Sequence, residues 1–165
     1  MLKRVNRQAQ SLVSGPIPDS QLVPECVYRP GSFTGLMLLY ESNFLKLSKL
    51  IGVLDAAGSR WISRVAGDND LFVERMQFET YTTTLRMTYW LGGPDGTAVR
   101  DPDLTVRIYH DAGQAEALNC RVRHRHRLLQ QLAASQSGEL GRRWQRNMML
   151  NKWLDYLLDR GHGFC

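Results

Sequence analysis

The chain has 165 residues, 43% apolar and 22% charged, ordinary proportions for one globular domain that buries a core without disulfides or metal. Its three cysteines, Cys26, Cys120 and Cys165, are far apart and form no Cys-x-x-Cys pair, which argues against a zinc or dithiol site and suits a reducing cytoplasm. The formal charge is +5, and the last quarter supplies the excess: from Arg121 to Arg160, nine Lys or Arg face only Glu139, Asp155 and Asp159.

Residues 1–31 read as an arm, because Pro16, Pro18, Pro24 and Pro30 break any helix or central strand. No apolar stretch follows Lys3, Arg4 and Arg7, and the most apolar window, Leu36 to Leu39, is too short to span a bilayer. The expectation is a cytoplasmic protein without membrane association. Residues 32–165 then form a single domain.

The first element is a helix over about 33–51, with Ser32 as its cap and Gly52 as its stop. Phe33, Leu36, Tyr40, Phe44, Leu47, Leu50 and Ile51 share one face, with Asn43 in its middle. Leu38 and Leu45 project from the opposite side, where they suggest a weak homodimer contact.

From Arg60 the apolar period changes to two. Trp61/Ser63/Val65, Phe72/Glu74/Met76/Phe78 and Leu85/Met87/Tyr89/Leu91 each mark a strand face. Turn signals stand at Gly67–Asp70 and Gly92–Gly96, and a bend is expected within Thr80–Thr84. The next strand places Leu104, Val106, Ile108 and His110 on one face and Thr105, Arg107, Tyr109 and Asp111 on the other. Matching Leu118, Cys120 and Val122 to Ile108, Val106 and Leu104 predicts a three-residue loop, Ala112–Gln114. That register sets Glu116 across from His110 and Arg123 across from Asp103. A last helix runs over about 138–160, with Ser137 as cap and Gly161 as stop. Leu140, Trp144, Leu150, Leu154, Leu157 and Leu158 form its apolar face, and Asn147 and Asn151 sit inside it.

Helix, about five antiparallel strands and helix make an α+β fold, with both helices on one face of the sheet. At these elements the chain resembles the YqiB-like family of small bacterial proteins, a domain of unknown function. Three blocks carry the resemblance: Tyr40-Glu41-Ser42-Asn43-Phe44 with Leu47; Thr105 to Ala112 with Glu116; and Asn147, Leu150, Trp153-Leu154 and Tyr156 before Gly161. They cover roughly Met37 to Gly161. The N-terminal arm and the Arg121–Arg127 run depart from the family pattern. The resemblance implies no activity, substrate or cofactor. A dehydrogenase label that some members have carried finds no Gly-x-Gly-x-x-Gly turn here.

Three sets of residues carry candidate chemistry. His110, Glu116 and Asp111 offer an imidazole beside carboxylates, the makings of a general base or of two metal positions, but without a nucleophile motif. The plainer reading is a polar pair closing a hairpin. Asn43 and Asn147 either bond each other to fix helix docking or line a pocket walled by Tyr40 and Trp144. Arg121, Arg123, Arg125 and Arg127 share one face of an extended strand and, with Arg107, suit phosphate. The alternative is a charged edge strand that resists aggregation. His124 and His126 lack a third ligand, so no metal is assigned, and no cofactor either.

The leading expectation is a non-enzymatic binding or regulatory module for an anionic ligand: a nucleotide, a phosphorylated metabolite or nucleic acid. The alternatives are a hydrolytic or metal-dependent enzyme centred on His110 and Glu116, and a protein-interaction module using Leu38, Leu45 or the arm.

Overall fold

A computed structural model of the protein describes residues 31–52, 58–93, 95–121 and 138–164. The N-terminal arm and the Arg123–Arg127 part of the basic run lie outside the described residues, and the N-cap of the last helix is Gly138, not the expected Ser137. Helix α1 spans Phe33–Ile51, and the Ser32 hydroxyl accepts the Gly35 N–H at 3.1 Å, as a capping serine should. It stops at Gly52, whose φ of 52° suits glycine, and a Cβ there would stand 2.9 Å from the Phe164 carbonyl oxygen. Five strands follow: β1 (Arg60–Ser63), β2 (Leu71–Phe78), β3 (Thr82–Gly92), β4 (Ala98–Tyr109) and β5 (Gln114–Arg121). They form one antiparallel sheet in sequence order. Helix α2 spans Glu139–Arg160 and ends at the left-handed Gly161.

Both helices cover one face of the sheet, giving the α+β architecture expected from the sequence. Leu47, Leu50, Leu150, Leu154 and Leu157 pack on the inward row Leu71, Val73, Leu85, Met87, Leu104, Val106 and Ile108. The N-terminal halves of the helices meet in a second cluster of Leu36, Leu39, Tyr40 and Trp144. There Gly35 admits the Trp144 ring, with its outer carbons 3.1 Å from where a Cβ would stand. On β2 the inward residues are Leu71 and Val73, so Phe72 and Glu74 point away from the helices. A bulge between Arg75 and Gln77 ends that alternation and leaves Met76 and Phe78 exposed.

The β4–β5 hairpin differs from its expected register. Tyr109 pairs with Gln114 and Arg107 with Glu116, so the connection is His110–Gly113 and Glu116 does not face His110. Asp103 pairs with Arg121, not Arg123. Ala115 and Ala117 occupy the inward positions beneath the helices, and Leu118 is the extra residue of a bulge that returns Cys120 to the Leu104 row. The sequence pattern misleads because Leu118 is the strongest apolar signal on this strand. The space under two crowded helices accepts only alanine.

Strand β5 lies at the sheet edge, and α2 satisfies its outward backbone. Asn147 Oδ1 accepts the Ala117 N–H at 2.8 Å, and Arg146 Nε approaches the Ala117 carbonyl at 3.4 Å. Asn147 in turn donates to the Arg143 carbonyl and accepts from Asn43 Nδ2 at 3.2 Å. Asn43 Oδ1 accepts from Asn151 at 2.9 Å, and Lys46 bonds both Asn151 and Asp155. Asn43 and Asn147 are fully buried. The amides therefore fix how α1, α2 and β5 dock. Asn147→Leu strands the Ala117 N–H and one Asn43 donor, and should cost about 2–4 kcal/mol. Urea unfolding should show this as a lower midpoint at an unchanged m-value.

Candidate anion-binding face of the sheet

The face turned away from the helices follows from strand alternation. Side chains paired or alternating with Ile62, Phe72, Thr88 and Asp103 point outward together. This row system brings together Arg60, Arg86, Arg100, Arg107 and Arg121 with Phe72, Trp90 and Tyr109. A concavity of about 360 Å³ opens among Arg60, Ile62, Phe72, Arg86, Trp90 and Arg100, with Glu74 and Thr88 at its wall.

The guanidinium groups differ in how fully they are bound. Arg60 meets Glu74 at 2.9 Å but is largely exposed. Arg107 Nε reaches Thr84 Oγ1 at 3.3 Å. Arg86 Nε stands 3.2 Å from Asp103 Oδ1, yet neither atom is aligned for a hydrogen bond. Arg100 lies over the Trp90 ring, 4.5 Å from its centroid, and its buried Nε has no hydrogen-bond partner. Among the described residues the buried side-chain polar atoms without a partner are these three, Arg86 Nε, Arg100 Nε and Asp103 Oδ1. All belong to this face. Native proteins leave few such groups, because each costs about 1–3 kcal/mol.

The sequence picked out Arg107 and Arg121 on this face but missed Arg60, Arg86, Arg100, Phe72 and Trp90. Their signal was present in the alternation, whose outward positions carry arginine and aromatic residues where a solvated face would carry small polar ones. Arg123, Arg125 and Arg127 lie outside the described residues.

The other candidate residues are dispersed. His110 is exposed, and its Nε2 lies 2.8 Å from Thr83 Oγ1. Asp111 is exposed and bonds the Ala112 N–H. Glu116 is buried instead at the junction of both helices and the hairpin, where it accepts from Tyr109 at 2.6 Å and Tyr40 at 3.0 Å. Arg143 stands 3.9 Å from the same carboxylate. Burial and the Glu116 carboxylate push the Tyr40 phenol up to about 12. Burial and the Glu116 bond also raise Tyr109. Both phenols therefore stay protonated donors. Asn43 and Asn147 spend their amides on each other and on β5.

A second cluster escapes sequence reading altogether. Ser63 Oγ lies 3.1 Å from His162 Nδ1, and His162 Nε2 lies 3.3 Å from Asp68 Oδ2. The residue types are those of a hydrolase triad. The geometry is that of a staple: Ser63 and His162 are buried, and the serine hydroxyl also accepts the Gly163 N–H. A ring proton on Nε2 completes the pattern, with Ser63 donating to Nδ1. Asp68 further accepts from Tyr156 at 3.1 Å and pairs with Arg160 at 3.5 Å. The cluster ties the residues after α2 to β1 and the β1–β2 turn. No local motif marks it, since Ser63 and His162 meet only through the fold. No group of three or more metal-ligating side chains gathers among the described residues. No helix among them is long and apolar enough to cross a membrane.

The model of the family described as "Protein of unknown function (DUF1249)" matches residues 46–163, from the middle of α1 to the residue after His162. The chain belongs to this family. It is similar to "Uncharacterized protein YqiB" of Escherichia coli (strain K12), 29% identical over 140 residues that cover 81% of this chain and 93% of that protein. The protein of the same description from Escherichia coli O157:H7 matches with the same identity and coverage. No solved structure matches. The family match spans all five strands and α2, and with the likeness to YqiB it bears out the family resemblance read from the sequence; the Tyr40–Phe44 block precedes the matched residues.

Burial opposes ionisation of Asp68, but the Asn69 N–H, the Tyr156 hydroxyl and His162 outweigh it and hold the carboxyl below its usual range. A lowered carboxyl stabilises the fold above its unfolded pKa of about 3.9, and the gain disappears as pH falls through the folded value. Asp68→Asn should therefore cost about 1–3 kcal/mol at neutral pH. Its stability should also fall less steeply than that of the unsubstituted protein below about pH 4. Chemical denaturation across pH measures both.

Proposed function

We propose that this protein is a non-enzymatic binding module whose anionic ligand lies on the helix-free face of the sheet. The observation that carries the reading is the gathering of five arginines, Arg60, Arg86, Arg100, Arg107 and Arg121, on one face of the sheet. A phosphate oxygen is a strong acceptor, and a planar guanidinium matches it with paired donors. The buried Arg86 Nε and Arg100 Nε are out of a ligand's reach, so an anion would meet the solvent-facing guanidinium N–H groups of these side chains. The acids cancel part of the charge: Glu74 pairs with Arg60, Asp103 pairs with Arg86, and Glu116 stands opposite Arg107 in the register. Arg100 and Arg121 supply the remaining excess. Nothing in the Ser63–His162–Asp68 staple or around His110 favours a catalytic reading over this one.

Inorganic polyphosphate tests charge recognition without the complication of bases. Binding measured by calorimetry should weaken steeply between roughly 50 and 200 mM salt. Replacing Arg60, Arg100, Arg107 and Arg121 together by Ser should remove most of it. By analogy with single strands, the slope of log K against log salt should flatten by roughly three. Unchanged affinity in the fourfold variant, with the fold intact by circular dichroism, would refute the proposal.

A further inference from the structure

We infer that the ligand of this face is a single-stranded nucleic acid, with a base stacked at Trp90 and the phosphates crossing the sheet over the arginines. The inference rests on the anion-binding reading and adds to it the aromatic half of the face. Trp90 is 41% exposed, a large indole left in solvent on a strand whose inward residues Leu85, Met87 and Tyr89 are buried. The Arg100 guanidinium covers one side of the ring, and Phe72 lines the same concavity. A guanidinium stacked on an indole leaves the rest of the aromatic surface for a second flat, electron-poor partner. Nucleobases are such partners, and stacking on aromatic side chains tolerates any base.

The extent of the face separates a strand from smaller or stiffer ligands. The concavity holds Arg60, Arg86 and Arg100, enough for one nucleotide. Arg107 and Arg121 lie beyond it, on β4 and at the end of β5. With neighbouring strands about 4.8 Å apart, five strands spread the charge over roughly 19 Å. A free mononucleotide leaves that second half unused, whereas a flexible strand crosses it. A duplex can place phosphates there, but it keeps its bases stacked inside and out of reach of a ring lying on a shallow sheet. A single strand uses both the rings and the whole row of charge.

Fluorescence anisotropy with labelled oligo(dT) of about twelve nucleotides, within the usual single-strand site sizes, tests this on the full chain. The comparison probe is an abasic phosphodiester of equal length and charge. Oligo(dT) should bind about tenfold more tightly than the abasic strand. Trp90→Ala should erase the difference, while Trp90→Phe, which keeps a stacking ring, should retain most of it. Circular dichroism of both variants controls for folding. Equal binding of the two probes overturns the base-stacking inference and leaves the anion-binding reading standing; binding of neither overturns both. Thymidine monophosphate competing at the same concentration as the strand, or a duplex binding equally well, also overturns the single-strand assignment.

Discussion

The relay from Lys46 through Asn151, Asn43 and Asn147 to the Ala117 N–H joins α1, α2 and the edge strand β5. An edge strand normally presents unpaired donors and acceptors to solvent, where another chain can pair with them. Here the amide of Asn147 takes the place of a sixth strand at Ala117. Because Asn43 and Asn147 are fully buried, no water replaces a lost partner, and each amide is held in place by the others. The relay sets the height and rotation of both helices over the sheet. That placement admits only Ala115 and Ala117 beneath them and forces the bulge at Leu118.

Two consequences follow for the rest of the molecule. With both helices committed to one face, the opposite face of the sheet is built from outward side chains alone. Its polar atoms cannot be satisfied by helix packing, and Arg86, Arg100 and Asp103 are the ones left short. At the far end of α2, the chain after Gly161 turns back on the sheet and is held by Ser63, Asp68 and His162. The Phe164 N–H donates to the Leu50 carbonyl, so this closure also meets the end of α1. The fold is therefore stapled at both ends of the helix pair, by amides at β5 and by an imidazole at β1.

The polar clusters divide by how completely they are satisfied. Glu116, with two tyrosines and a nearby arginine, closes the junction where α1, α2 and the hairpin meet. Asp68 closes the C-terminal turn. Both are buried carboxylates whose lone pairs are taken, and their chemistry is spent on structure. The sheet face is the exception, because its charges are partly paired and its rings partly exposed. A saturated cluster holds the fold, whereas the partly paired charges and exposed rings of the sheet face are the ground of the proposed anion binding.

Local chemistry made much of this architecture legible in the sequence. The cap at Ser32 and the stops at Gly52 and Gly161 stand where the pattern placed them, because glycine and a capping hydroxyl act within a few residues. The strands read correctly as far as their alternation was unbroken, and the buried asparagines stood out on apolar helix faces. Register was decided by tertiary structure. The bulge at Leu118 lies where the helices pack above the sheet, so β5 read alone does not reveal it. Pairing His110 with Glu116 failed for that reason. The Ser63–His162–Asp68 staple and the gathering of Arg60, Arg86 and Arg100 beside Trp90 are likewise products of strand order. Ser63 and His162, like Arg60 and Arg100, are distant along the chain, and only the assembled sheet brings them together.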